Sequence, residues 1–278
     1  MLVRDVGILA CPETRNPLTW HGTNLEGVLQ DGVLVCEDTG VAWQVEEGWA
    51  RLARDLRQDG RRARLLRLHD VAPRLHDPML RVLLPALGSS TEGAHRNDAI
   101  ERLDLNALHA DVPRILEVGV GTGASLPLLA RRLPTDSPVE LWGVDVSVGM
   151  LRRAKLQVAR HSGGPLASVR LLIAEATQLP FRDGVFDRVM HLGGLAGLAS
   201  PSAALREMAR VAVTGAPVVV VEASPSPGRA AGVLSGLAHK LLPLQADADL
   251  AELAPEGATD VQVDRLDPLF VALSFRAP

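Results

Sequence analysis

The chain contains no tyrosine, and only four phenylalanines and four tryptophans in 278 residues. Any active site it holds must therefore work without a phenolic hydroxyl. Cysteine is nearly as scarce. Two residues cannot build a disulfide framework, so a reducing cytoplasm is the expected compartment. No apolar run reaches the ~20 residues needed to span a bilayer, and the opening Met1-Leu2-Val3-Arg4-Asp5 lacks the basic-then-apolar order of a signal peptide. Positive charge is not in excess either: a net charge of −4 argues against a nucleic-acid partner. Internal repeats and low-complexity segments are missing. What remains is an ordinary globular composition, 47% hydrophobic and 22% charged. The length suits one full α/β domain with a smaller appendage.

The most informative stretch runs from Arg114 to Gly123. Residues 115–118 form a short apolar run without alternation, as in a parallel strand buried on both faces. Gly119, Gly121 and Gly123 then stand at every second position, and residues 124–132 carry apolar side chains at helical spacing with arginines at the end. Strand, glycine turn and helix open a doubly wound sheet and leave a bare backbone shelf at the strand's carboxyl edge. Two ligand classes compete for that shelf. Gly119-x-Gly121-x-x-Ala124 satisfies the relaxed dinucleotide fingerprint. The alternative gives weight to Glu117 before the first glycine and to Gly123. The next strand, 139–145, ends in Asp145, at about the distance expected of an acid that grips ribose hydroxyls. A helix-cap role for Asp145 beside Ser147 is the competing reading.

Written Glu117-x-Gly119-x-Gly121-x-Gly123, this segment resembles the first motif of class I S-adenosylmethionine-dependent methyltransferases. The later motifs follow in the family's order: a strand over 169–174 leading to Glu175, Leu179-Pro180-Phe181, Phe186-Asp187, a strand over 188–192, a helix over 202–211 and a strand over 217–221. The resemblance extends from about residue 111 to 275. It implies that Glu117, Gly119, Gly121 and Gly123 hold the amino-acid end of the cofactor, that Asp145 with Val146 holds ribose, and that Glu175, Ala176 and Met150 surround adenine. Glu175 departs from the family's usual aspartate. His191, ending the fourth strand, is the candidate catalytic residue facing the methyl acceptor. A solvated Glu175, a plain core Met150 and a satisfied core His191 are the competing readings.

The first 56 residues read as short β runs separated by Asp-Gly and Thr-Gly turns, an antiparallel ribbon. They resemble the small zinc-ribbon domain that activates several methyltransferases as a separate subunit and is fused to some bacterial ones. That family holds zinc with two Cys-x-x-Cys knuckles. Here Thr14 and Thr39 replace the second cysteine of each pair, leaving Cys11 and Cys36, with His21 a poor third ligand, so no metal is expected. The ribbon is left with packing, dimerisation or substrate gating.

Residues 57–110 read as a helical cover. They include a basic face over 57–67, the pairs His69-Asp70 and His76-Asp77, a loop over 88–93, and a helix over 97–108 with Ile100, Leu103 and Leu108 on one side. A helix over 148–156 should carry Met150, Leu151, Ala154 and Leu156. An apolar helix over 229–242 reads as a lid or a dimer surface, and two strands, 259–263 and 269–275, close the sheet. The expected architecture is α/β: a doubly wound, mostly parallel seven-stranded sheet with an N-terminal ribbon (1–56), a helical cover (57–110) and a cofactor-binding domain (111–278). The expected activity is methyl transfer from S-adenosylmethionine to a small molecule, an apolar natural product or quinone-like compound. No nucleic acid or membrane partner is expected, and a homodimer is compatible. An NAD-type oxidoreductase and a non-catalytic partner subunit are the alternatives.

Overall fold

The computed structural model describes residues 1–54, 90–134, 138–160, 166, 168–198, 200–224 and 250–278. The two His-Asp pairs, the basic face over 57–67 and the lid helix over 229–242 lie outside the described residues. The described strands form one sheet. In chain order they are β1 (Thr19–Leu25), β2 (Val28–Cys36), β3 (Val41–Glu46), β4 (Trp49–Leu52), β5 (Arg114–Val118), β6 (Glu140–Asp145), β7 (Arg170–Ala174), β8 (Arg188–Leu192), β9 (Pro217–Ala223), β10 (Thr259–Arg265) and β11 (Phe270–Arg276). Their order in space is β1-β2-β3-β4-β7-β6-β5-β8-β9-β11-β10.

The sheet therefore has eleven strands rather than the expected seven, because the ribbon adds its four to the edge at β7. Strands β4 to β9 run parallel to their neighbours, whereas both flanks are antiparallel. The parallel part is buried on both faces, which explains its unbroken apolar runs. Neighbouring residues of one strand feed opposite cores: Leu116, Trp142, Leu172 and Val218 one, Ile115, Leu141, Ile173 and Val219 the other.

The second core is closed by the helices α1 (Glu92–Arg102), α2 (Leu126–Arg132) and α3 (Val148–Arg160), through Ile100, Leu126, Leu129 and Leu151. The first is closed by α4 (Pro201–Val211), through Leu205 and Met208, and by the ribbon, through Leu9, Leu34, Cys36 and Leu52. Two sequence expectations shift here. Helix α1 starts at Glu92, with the Thr91 hydroxyl accepting from the Ala94 amide, so Gly93 is helical. It ends at Arg102, before Asp104 turns left-handed at φ 49°. Leu156 is 51% exposed on the outer face of α3, while Met150, Leu151 and Ala154 are buried.

Four contacts tie the ribbon down. The Ala10 amide donates to Pro180 O (3.0 Å) and the Arg182 amide to Ile8 O (3.0 Å). Arg15 pairs with Glu207 at 3.1 Å, and Arg170 with the buried Asp5 at 3.2 Å. Phe181 stands edge-on to Trp142 and Phe186 next to this seam. Without Asp5, the buried Arg170 keeps Glu140, at 3.3 Å, as an acid partner. Asp5→Ala should therefore cost about 1–2 kcal/mol in urea-monitored unfolding, the worth of a hydrogen bond to a charged group, and the ribbon and the parallel sheet should unfold in one transition because they share a core.

Candidate functional site

The site is assembled where β5, β6 and β7 end side by side. Val118 pairs with Val144, and Asp145 with Ile173. After β5 the chain cannot continue straight: Gly119, Gly121 and Gly123 have φ of 70°, 53° and 74°, values that only glycine takes without strain. The amides of Gly119 and Val120 both donate to Val144 O, at 2.8 and 3.0 Å, which folds the turn across the end of β6. At Gly123 a Cβ would come within 2.9 Å of the Ala154 Cβ, so this glycine lets α3 pack close.

Asp145 locks the turn. Its Oδ2 accepts the Gly121 amide at 2.9 Å and its Oδ1 the Ser147 amide at 2.8 Å. Ser147 Oγ in turn accepts the Met150 amide at 3.2 Å, so the side-chain cap of α3 is Ser147, with Asp145 one step before it. Val146 is half-buried beside Asp145. Met150 is 3% exposed, within the first turn of α3. Glu175 and Ala176 follow β7 directly, Glu175 half-buried in a bridge with Gln178.

Glu117 forms the floor. It is 3% exposed, and Ser125 Oγ donates to its carboxylate at 2.5 Å. Burial pushes its pKa up to about 7, against the opposing effects of Ser125 and of the Arg96 guanidinium; the Asp145 charge raises it further. His191 lies under the rim instead of at an open acceptor face. It is buried, its Nδ1–H donates to Val118 O at 2.7 Å, and a Cβ on Gly119 would sit 3.2 Å from its ring. Burial lowers its pKa and keeps the imidazole neutral.

The expected cofactor residues are thus brought together around one bend. Three further residues emerge from the structure. Ser125 and Arg96 act on Glu117, and Glu222, ending β9, accepts the amides of Leu195 (2.6 Å) and Ala223 (3.1 Å). Burial pushes Glu222 up to about 7. The cue for Glu222 is a lone acid directly after the four successive valines 218–221.

In the ribbon, the two knuckles keep their turns. The Arg15 amide donates to Cys11 O (2.7 Å) and the Gly40 amide to Cys36 O (2.8 Å). Thr14 Oγ1 lies 3.5 Å from Cys36 Sγ. Hydrogen bonding by Thr14, and then Thr39, draws the Cys36 thiol pKa down. Among the described residues no three potential metal ligands cluster, and no helix is long and apolar enough to cross a membrane.

Comparison with known proteins fits this geometry. Residues 116–220 match the family described as a methyltransferase domain, and residues 7–48 the family described as Trm112p-like protein. A phosphatidylethanolamine N-methyltransferase of Cereibacter sphaeroides is 39% identical over 108 residues, covering 39% of this chain and 49% of that protein. A demethylmenaquinone methyltransferase of Thermus thermophilus is 35% identical over 128 residues, covering 46% and 55%. The chain thus spans about half the length of these relatives. Among solved structures, phosphoethanolamine N-methyltransferase 2 of Haemonchus contortus, in complex with S-adenosyl-L-methionine, superposes with a TM-score of 0.55 at 14% identity, over 66% of this chain and 52% of that one. That likeness concerns the fold alone. Residues 116–220 thus match a methyltransferase domain, and the residues 7–48 that precede them a Trm112p-like protein, on an α/β fold shared with that solved structure.

Proposed function

We propose that this chain is an S-adenosylmethionine-dependent methyltransferase acting on a small molecule in the cytoplasm. The observation that carries the reading is the glycine bend, pinned by Asp145 and floored by a buried Glu117. An amino-acid zwitterion fits such a bend. The bend from Gly119 to Gly123 offers it a surface bare of side chains at the three glycines, the amides of Gly119, Val120, Gly121 and Gly123 being engaged by Val144 O, Asp145 and Val120 O, and the Glu117 carboxylate suits its ammonium. Asp145 with Val146 would hold ribose, and Glu175 and Ala176, with Met150 behind them, would hold adenine. When bound, the cofactor supplies an already activated methyl group. The chain then has to align the acceptor and exclude water. His191 would serve by propping Gly119 from below.

Two features support a quinone-like or other apolar acceptor. The relatives matched by sequence include demethylmenaquinone methyltransferases. Strand β8 ends in Leu192 and continues into Gly193, Gly194 and the buried Leu195, a segment without polar side chains.

Isothermal titration should show S-adenosylhomocysteine binding and no NADH binding; the reverse would establish the oxidoreductase reading. Asp145→Ala should weaken that binding about 10- to 100-fold, the worth of charge-assisted hydrogen bonds to hydroxyls. The Glu117 carboxyl gives a second test. Its folded pKa of about 7 lies above the ordinary 4.5, so the folded state holds the proton more tightly than the unfolded chain. Stability from this group is full below about pH 4.5 and is lost as pH rises through 7. Ligand-free Glu117→Gln should therefore gain on the order of 3 kcal/mol over the parent at pH 8 and little at pH 4.5, in thermal unfolding. It should also bind the cofactor more weakly. In the parent protein, affinity should fall as pH drops below about 7, because the ammonium then faces a neutral carboxyl.

A further inference from the structure

We propose that His95, oriented by Asp267, is the base that takes the proton from the acceptor, and that the acceptor is accordingly an ionisable hydroxyl compound of the quinol class. This rests on the methyltransferase reading above and adds the residue and the substrate chemistry.

Placement comes first. Helix α1 packs on β8 and β9, and the Ser90 amide just before it donates to Asp267. Asp267 lies in the turn between β10 and β11. That turn is fastened to the end of β9, where Phe270 pairs with Ala223 and the Ser224 amide donates to Leu269 O at 2.7 Å. Strand β9 runs parallel to β8, and β8 to β5, so this turn and Gly119 lie at the same edge. Arg96, the neighbour of His95, acts electrostatically on Glu117.

Orientation follows from hydrogen-bond logic. Asp267 accepts three backbone amides: Ser90 (2.7 Å), Leu269 (2.8 Å) and Phe270 (2.9 Å). Such a carboxylate is held in its ionised, acceptor-only form. His95 Nε2 lies 2.8 Å from Asp267 Oδ2 and must therefore carry the proton and donate it. The other nitrogen, Nδ1, then bears the lone pair. His95 is 5% exposed, and its Nδ1 is buried with no hydrogen-bond partner among the described residues. The ring rests on Phe270, centroids 4.1 Å apart. A purely structural tether needs Nε2 alone. A buried lone pair with a carboxylate behind the ring is the arrangement that takes up a proton and stabilises the resulting cation.

The other buried groups are less suited. His191 has a backbone carbonyl, not a carboxylate, behind it, and Glu222 is saturated by backbone amides. Among the described residues, the charged groups around His95 include Arg96 on its own helix, Asp267, and Arg265, whose guanidinium reaches Ser224 O and Asp267 O. Glu222 follows Val221, which feeds the α1 core, and so points to the opposite face of β9.

In the proposed step His95 Nδ1 takes the hydroxyl proton of the quinol. The ring carbon forms a bond to the methyl group as the methyl–sulfur bond breaks, and that electron pair stays on sulfur. The ring C–H proton then leaves to water while the oxygen recovers its proton from His95. One proton is released overall, and no oxidant or reductant is consumed.

The test uses the full chain, radiolabelled S-adenosylmethionine and a short-prenyl demethylmenaquinol kept reduced with dithionite. The pH–rate profile of kcat/KM should rise with unit slope to a plateau. His95→Gln should remove the rising limb and lower kcat about 100-fold, with S-adenosylhomocysteine affinity unchanged. Asp267→Asn should shift the limb to lower pH, since the imidazolium loses its carboxylate. A limb that survives in His95→Gln overturns the proposal. Nitrogen-15 NMR of histidine-labelled parent protein at pH 8 tests it without any variant: Nδ1 unprotonated is expected, and Nδ1 protonated overturns it. If the parent binds S-adenosylhomocysteine yet leaves the quinol unmethylated, the acceptor class is wrong and the proposal falls. If it does not bind S-adenosylhomocysteine, the methyltransferase reading itself fails.

Discussion

A single carboxylate holds the site in shape. Asp145 ends β6 and accepts one amide from the glycine bend and one from the start of α3. The glycine bend is thereby fastened to the junction of β6 and α3, 24 residues further along the chain. Without it the bend would have three left-handed residues and little to choose among their alternatives, because glycine gives up more conformational freedom on ordering than any other residue. With it, the bend is held in one arrangement. The carboxylate can do this because it sits at the end of a parallel strand buried on both faces, whose own position is fixed by its neighbours.

The acids at this edge differ by environment. Asp145 is half-buried and satisfied by two backbone donors. Glu117 is fully enclosed, meets one hydroxyl, and is driven toward neutrality by burial. Glu222 is equally enclosed but collects backbone amides around the turn after β8. Three carboxyls at one edge thus stand in three surroundings: one braces a loop, one meets a serine hydroxyl in the interior, and one gathers the amides beside β8.

Much of this was legible in the sequence because it is local. The strand read over 188–192 coincides with β8, and the helix read over 202–211 differs from α4 by one residue. The glycine spacing, Asp145 and the Leu-Pro-Phe turn each declare themselves within a few residues. What was not legible depends on distant partners. His95 and Asp267 are separated by 172 positions, and neither has a neighbour that marks it. The parallel pairing of Arg51 with Ile173 and Leu52 with Ala174 is invisible for the same reason, and with it the extension of the sheet to eleven strands. The start of α1 was misread although Thr91 stood ready as a cap. The Gly-Ser-Ser-Thr context outweighed it.

The ribbon's attachment bears on how the protein behaves when dilute. A lid that docks from solution leaves its seat bare once concentration falls below the dissociation constant. Here strand β4 reaches the edge of β7 as part of the same polypeptide, and the two share an interior of leucines and aromatics. Docking is intramolecular, its effective concentration set by the connecting chain and not by expression level. The strand that leads to Glu175 is consequently shielded from water in every copy of the molecule, however few copies a cell contains.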